Sequence, residues 1–378
     1  PSLYILTISD SVGCQIVDSV IMNVTLGCTD STAENYDQIA NYDDGSCYSC
    51  NPQISSFTFT NCGSVGRYGP FQSQIDTEYS GSELHGLVTS YNDGIQRYTV
   101  QTSGWYNIDA YGAQGGTQNY WGHSGGYGAQ SYGEFYLTQG QILNILIGQK
   151  GGDSDCCNDN SAPGGGGGTF VWLDDGTLLL AAGGGGGGNR SNYIGRHANG
   201  FNNGNSSENY FNYGEYGNGG KNNVGGSSYW AGAGCGWYTD GTGGNNYYDY
   251  DPFPGGDGAY GGRSPLHPLF PGLGGERYID GYDEGGDGGY GGGGGGGSDN
   301  MGTGGGGGYS GGGGGSSSPD NGGGGGGGSY VSGANSYSLS ASNTGDGYVS
   351  FVYNLTIGNL GCTDSTADNY DSLALCDD

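Results

Sequence analysis

In 378 residues the chain carries 92 glycines and 33 tyrosines, only 33% of it is hydrophobic, and its formal net charge is −29. Eight basic residues against 37 acidic ones exclude nucleic acid as a partner and disfavour anionic lipid, and no apolar run nears the roughly 18 residues of a membrane span, so membrane insertion is excluded too. Divalent cations are the counter-charges such a chain favours, and ten cysteines fit an oxidising, extracellular compartment, either the cell surface or a secreted filament.

Residues 1–26 read as a β-hairpin, two β-rich runs around Ser11-Val12-Gly13. A lone hairpin is marginal in water, so the rest of its sheet is expected upstream or from another copy. Next, Gly27-Cys28-Thr29-Asp30-Ser31-Thr32-Ala33-Glu34-Asn35-Tyr36-Asp37 recurs at Gly361 to Asp371 with ten identities in eleven. The first copy, within an acidic module at 27–50, closes on Asp43-Asp44-Gly45-Ser46-Cys47; the second, at 358–378, stops at Asp377-Asp378, so the chain is expected to be cut from a longer one. Asp30, Asn35, Asp37, Asp43 and Asp44, with Asp364 and Asp371 in the second copy, supply the oxygens calcium needs; the alternative is a solvated acidic turn held only by its cystine. No organic cofactor is expected.

Cys47-Tyr48-Ser49-Cys50 would be half of a zinc ribbon, but the second pair is missing from the sequence. Disulfides are the expected state: Cys28 with Cys47 around the acidic loop, and Cys50 with Cys62 at the start of the next domain. Vicinal Cys156 and Cys157 are expected to pair elsewhere, Cys235 being one candidate.

The region 51–357 alternates β-prone runs with glycine tracts. Strands are predicted at 54–60, 95–100, 104–111, 133–137, 142–148, 169–173, 177–182 and 348–353, with Asp174-Asp175-Gly176 as a hairpin turn. Pure glycine runs occupy 164–168, 183–188, 291–297, 304–308, 311–315 and 322–328. Composition alone reads as flexible linker. The tracts, however, abut strands without polar spacers and are punctuated by Tyr290, Tyr309 and Tyr330. Ordered polyglycine needs compensation for its backbone entropy, and an extended threefold helix offers it by turning every N–H and C=O outward to a neighbouring helix. The predicted fold is therefore all-β with an inserted polyglycine II helix bundle, flanked by small disulfide-bonded acidic modules.

Ordered identities give this region a family likeness. Phe57-Thr58-Phe59-Thr60-Asn61-Cys62-Gly63, Tyr111-Gly112-Ala113-Gln114-Gly115-Gly116, Ile145-Leu146-Ile147-Gly148-Gln149, Gly168-Thr169-Phe170-Val171 and Leu179-Leu180-Ala181-Ala182-Gly183 are the main blocks. They resemble the glycine-rich extracellular domain of the anaplastic lymphoma kinase and leukocyte tyrosine kinase receptors. That resemblance implies a tumour-necrosis-factor-like jelly-roll β-sandwich; it does not carry over a kinase or the receptor's ligand. Residues 3–24 are similar to the closing strands of immunoglobulin-like repeats in giant bacterial adhesins, and the acidic repeat to short modules strung along large microbial surface proteins.

Gly122-His123-Ser124-Gly125-Gly126 and Gly308-Tyr309-Ser310-Gly311-Gly312 match the hydrolase Gly-x-Ser-x-Gly pattern, but glycine clustering produces such matches by chance and no helix-forming segment completes an elbow. The chain is not expected to be an enzyme. His85, His123, His197 and His267 have no ligand spacing. Asn23, Asn189, Asn205 and Asn354 head N-glycosylation sequons, and Asp10, Asp18, Asp30 and Asp364 head Asp-Ser triplets like some surface-protein O-glycosylation signals. The leading expectation is a structural or adhesive segment of a modular extracellular filament, joined head to tail with other copies and meeting surface glycans or proteins. A receptor-like ligand-binding ectodomain is the alternative. Ice binding is a minor one, since the every-third glycine with a flat threonine or alanine face is missing.

Overall fold

The computed structural model describes residues 2–9, 15–22, 24–29, 31, 33, 35–43, 53–92, 94–154, 161–189, 195–206, 213–221, 231–243, 259–276, 285–297, 302–315 and 323–355. The chain divides into two units, residues 1–55 with 354–378, and residues 56–353.

In the smaller unit, β1 (Ser2–Ser9) and β2 (Gln15–Met22) form an antiparallel hairpin running from Ser2↔Met22 to Ser9↔Gln15. β3 (Leu26–Gly27) and β4 (Tyr42–Asp43) pair in parallel, and a bridge joins Cys28 to Tyr36.

The larger unit is built from β5 (Gln53–Phe59), α1 (Gln72–Glu78), β6 (Val88–Tyr91), β7 (Ile95–Thr99), β8 (Gly104–Tyr111), β9 (Gly128–Leu137), β10 (Ile142–Leu146), β11 (Thr169–Leu173), β12 (Leu178–Ala182), β13 (Tyr330–Val331), β14 (Ala334–Asn343) and β15 (Tyr348–Leu355). Two sheets result, one ordered β13-β12-β11-β10-β7-β6 and the other β14-β9-β8-β15-β5. The turn predicted at Asp174 to Gly176 joins β11 to β12, with Gly176 at φ +88° and its N–H donating to Leu173 O at 2.9 Å. Glycine meets that positive φ without the Cβ clash of other residues. The helix α1 was not expected; Gln74 Oε1 accepts from the Phe71 N–H at 2.9 Å to start it. It lies far from either Gly-x-Ser-x-Gly match in sequence.

Alternation in β8 places Tyr106, Ile108 and Ala110 inward, and β9 does the same with Ala129, Ser131, Phe135 and Leu137. Aromatic rings bind the two sheets together: Phe57 of β5 stacks on Phe351 of β15 at 5.2 Å and reaches Tyr98 of β7 at 5.5 Å. β11 and β12 are buried along almost their whole length, as strands covered on both faces must be. One face of their sheet turns Tyr98, Leu143, Ile145, Val171 and Leu180 toward the aromatic core. The other presents Ile95, Leu146, Phe170 and Trp172 to Trp237 and Tyr290, which come from glycine-rich segments. The chain is thus mostly β, with two antiparallel sheets and little helix.

Candidate functional site

The glycine segments run on from strand ends and share one hydrogen-bonding rule. Gly164 and Gly167 donate to Gly152 O and Gln149 O at 2.9 and 3.0 Å; Gly165 and Gly168 donate to Gly294 O and Gly291 O, both at 2.9 Å; Gly166 turns a third way, to Gly185 O at 2.8 Å. Residues three apart therefore address the same neighbour. The rule repeats: Gly184 and Gly187 donate to Gly307 O and Gly304 O, and Gly185 and Gly188 to Ala113 O and Gly116 O. Likewise Gly324 and Gly327 donate to Gly187 O and Gly184 O, while Gly325 and Gly328 donate to Gly313 O and Ser310 O. Buried N–H groups are satisfied between segments rather than within them. Packing is close enough that a Cβ on Gly294 would sit 2.2 Å from Gly232 O, and one on Gly166 would sit 2.5 Å from Gln114 O.

A second feature is the outward face of the five-stranded sheet. The alternation that buries Tyr106 and Ile108 turns Trp105, Asn107, Asp109 and Tyr111 out, beside Gln130, Tyr132, Glu134 and Tyr136 of β9. Tyr111 stacks on Tyr348 of β15 with centroids 4.3 Å apart, Tyr132 stacks on Tyr337 of β14 at 4.9 Å, and Trp105 meets Tyr136 edge-on at 5.7 Å. Asp109 accepts from the Tyr111 hydroxyl at 2.9 Å and from Gln130 Nε2 at 2.9 and 3.0 Å. Burial lifts its carboxyl above the usual carboxylate value, against the pull of the hydrogen bonds from those two side chains. The Tyr132 hydroxyl donates to Glu134 Oε1 at 3.3 Å, and Glu134 Oε2 accepts from Asn335 Nδ2 at 2.8 Å. Burial also raises Tyr111 and Tyr132, with their carboxylate partners adding to it.

Of the acidic repeat, Asn35 and Asp37 are described and Asp43 lies in β4, while Asp30, Asp44, Asp364 and Asp371 fall outside the described residues. Asp37 Oδ1 accepts from the Ile39 N–H at 3.0 Å and its backbone N–H donates to Cys28 O at 2.9 Å, so this side chain shapes the turn. No group of three or more His, Cys, Asp or Glu side chains gathers among the described residues.

Cys28 is buried and disulfide-bonded, its partner lying outside the described residues. The bridge expected at Cys62 and the candidate one at Cys235 are corrected. Cys62 is a free buried thiol: it sits at φ +51° just beyond β5, and its Sγ turns inward to Thr60 O at 3.6 Å and Gln96 Oε1 at 3.8 Å. Cys235 is likewise free and buried, its Sγ 3.7 Å from Gly291 O. A Cβ on Gly292 would lie 1.9 Å from that sulfur, so glycine backbone packs directly against it. Burial raises both thiols. Cys47, Cys50, Cys156 and Cys157 lie outside the described residues.

Among the sequons, Asn189 is buried, and Asn205 is part-buried with Nδ2 donating to His197 O at 2.8 Å. Asn23 and the side chain of Asn354 are outside the described residues. Ser310, of the second hydrolase-like match, is buried and its Oγ accepts from the Gly217 N–H at 3.0 Å. A cleft of about 400 Å³ is lined by Tyr213, Glu215, Tyr216, Lys221 and Asp240, but Asp240 is engaged by Arg263 Nη1 at 2.9 Å and the Ser264 N–H at 2.8 Å. No described helix is long and apolar enough to cross a membrane.

The chain is similar to part of the mouse leukocyte tyrosine kinase receptor, with 37% identity over 102 residues, which is 26% of this chain and 11% of the receptor. It therefore spans about a tenth of the length of the relative it matches. No protein-family profile matches the chain.

Proposed function

We propose that the chain is a non-enzymatic structural or adhesive segment of a large extracellular surface protein or filament. In this reading a jelly-roll sandwich is stiffened by a polyglycine II bundle. The observation that carries it is the three-residue period of the glycine hydrogen bonds: N–H groups three apart, such as those of Gly164 and Gly167, donate to the same neighbouring segment. A threefold extended helix has that period and no internal hydrogen bonds. A linker has no use for such order, and an enzyme has no use for so much backbone held against backbone. The extracellular assignment is supported by the likeness to a receptor and by the acidic charge.

The acidic repeats would serve as joints between successive copies, with calcium held by Asp30, Asp37, Asp43 and Asp44. Contacts of that kind are heterologous and give an open array. Electron microscopy of the native source, with antibody against this segment, tests the reading: label at a regular spacing along a filament is expected. Label confined to the cell membrane, with a purified chain that stays monomeric, would overturn it. The receptor likeness favours a second reading, a ligand-binding ectodomain, and the membrane-confined result is the one that would advance it.

A further inference from the structure

We propose that the cleft lined from residues 213–221 and 239–242 is a binding site for one neutral sugar ring of an extracellular glycan, with Tyr216 as its aromatic platform. Its volume of about 400 Å³ lies within the range of small-molecule sites. Two glycine-rich stretches build it: the Gly219 N–H donates to Thr239 Oγ1 at 2.9 Å, and the Thr242 N–H donates to Gly220 O at 3.2 Å. Glu215 to Asn218 form a turn with Tyr216 at φ +53° and Gly217 at φ +83°, closed by the Asn218 N–H donating to Glu215 O at 3.0 Å. Positive φ at both central positions defines a type I′ turn, whose first central residue is ordinarily Asn, Asp or Gly. A tyrosine there is strained, and packing does not offset the strain, because Tyr216 is 77% exposed. Its surroundings hold it in place. The Gly217 N–H donates to Ser310 Oγ at 3.0 Å, Gly217 O accepts from the Tyr238 N–H at 2.8 Å, and Asn218 O accepts from the Gly311 N–H at 2.9 Å. A strained, fixed and exposed ring at the rim of a cleft is placed for contact with something outside the chain.

The chemistry of the lining selects the ligand. Tyr213 and Tyr216 supply aromatic surface, Glu215 and Lys221 one charge of each sign, and Thr242 a hydroxyl. Asp240, the remaining charge in the lining, is neutralised by Arg263 Nη1 at 2.9 Å and accepts from the Ser264 N–H at 2.8 Å. A charge-balanced lining on a chain of net charge −29 disfavours anions. No group of three or more His, Cys, Asp or Glu side chains gathers among the described residues to hold a metal ion. A wholly apolar ligand would bury the Glu215 carboxylate and the Lys221 ammonium without partners. A pyranose meets all of these demands: its C–H face lies against an aromatic ring, while its rim of hydroxyls donates to Glu215 and accepts from Lys221. The inference deepens the adhesive reading and rests on it for where the sugar is met.

The test applies the purified full chain, treated with glycosidases, to an array of neutral hexose and N-acetylhexosamine oligosaccharides, with sialylated and sulfated ones as controls. Binding to neutral spots is expected, and the strongest is then titrated by calorimetry. Tyr216→Asn fits the turn and removes the ring; it is expected to melt no lower than the parent and to bind about tenfold more weakly, as loss of one aromatic contact implies. Tyr216→Phe, which keeps the ring, is expected to bind as the parent does. Parental binding by Tyr216→Asn, a lower melting temperature in that variant, binding to anionic spots alone, or no binding on the array would each overturn the proposal. A second arm immobilises the chain without glycosidase treatment: capture of the treated chain there places the sugar on neighbouring copies, and capture on the array alone places it on a foreign surface. Filaments labelled at a regular spacing, with no sugar bound, would sink this site and leave the structural reading standing. Sugar binding by a chain labelled only at the cell membrane would do the reverse.

Discussion

At single positions the two most informative residues are a glycine with no room and a histidine that must stay neutral. Gly294→Val puts a Cβ 2.2 Å from Gly232 O, and the obstacle is backbone rather than a side chain that could swing away. Its loss of stability is expected to reach about 3 kcal/mol, the upper part of the range for overpacking. Gly243→Ala serves as control, because its nearest neighbour atom would be 3.6 Å from the new Cβ. Denaturant melts should separate the two, and equal midpoints would contradict the close packing. His197 Nδ1 accepts from the Tyr127 N–H at 2.9 Å, and burial lowers its pKa below the ordinary 6.5. Below pH 6.5 the unfolded chain therefore takes up a proton that the folded chain refuses. Stability is level above that pH and falls as pH drops toward the lowered value. His197→Asn, which keeps an acceptor, should flatten the fall that sets in as pH drops below 6.5. A melting temperature that drops equally in both proteins would assign the effect elsewhere.

At the scale of elements, Trp237 is the fastening between glycine segments and sheet, packed on Phe170 at 5.9 Å and Trp172 at 5.5 Å. Trp237→Ala is expected to remove about 3–5 kcal/mol and to speed amide exchange in the glycine segments more than in β8 and β15. Uniform exchange across both would mean that the segments do not depend on this contact. Strands rich in branched and aromatic residues were legible from sequence: β8 and β11 have the predicted bounds, and β10 and β12 differ by only a residue or two at an end. β9 begins at Gly128, five residues before the predicted start, because Gln130, Ser131 and Tyr132 take their strand geometry from pairing with β8 and β14. β14 escaped notice for a related reason. Its sequence is mostly serine, asparagine and alanine, poor strand formers that an edge position on β9 nevertheless recruits. α1 was missed because it is short and polar with one buried residue, Ile75. Alternation along β8 makes the outward turn of Trp105, Asp109 and Tyr111 readable in one strand. The tyrosine pairs were not readable, since each needs the register of a second strand distant in sequence. The inward thiols of Cys62 and Cys235 were hidden for the same reason: counting cysteines says nothing about which way a side chain points.

For the whole molecule, the acidic repeat gives the plainest measurement. If calcium is held by Asp30, Asp37, Asp43 and Asp44, chelation leaves their like charges uncompensated in one loop, and the melting temperature of the smaller unit should drop when chelator replaces calcium. Identical melts would leave the motif as a cystine-closed turn. The threefold bonding of the glycine segments has a consequence for how such a chain can change over generations. Each N–H of Gly164 to Gly168 finds its acceptor by its position modulo three. Deleting or inserting one or two glycines would rotate every donor beyond that point onto the wrong neighbour, whereas gain or loss of three restores the pattern one turn along. A single-base change that replaces Gly165, Gly186 or Gly306 adds a Cβ 2.1, 1.9 or 2.1 Å from a neighbouring backbone oxygen, where none fits. Inheritance can therefore lengthen or shorten these tracts by whole turns but can scarcely respell them, and related chains are expected to differ in tract length by multiples of three while their loops vary freely.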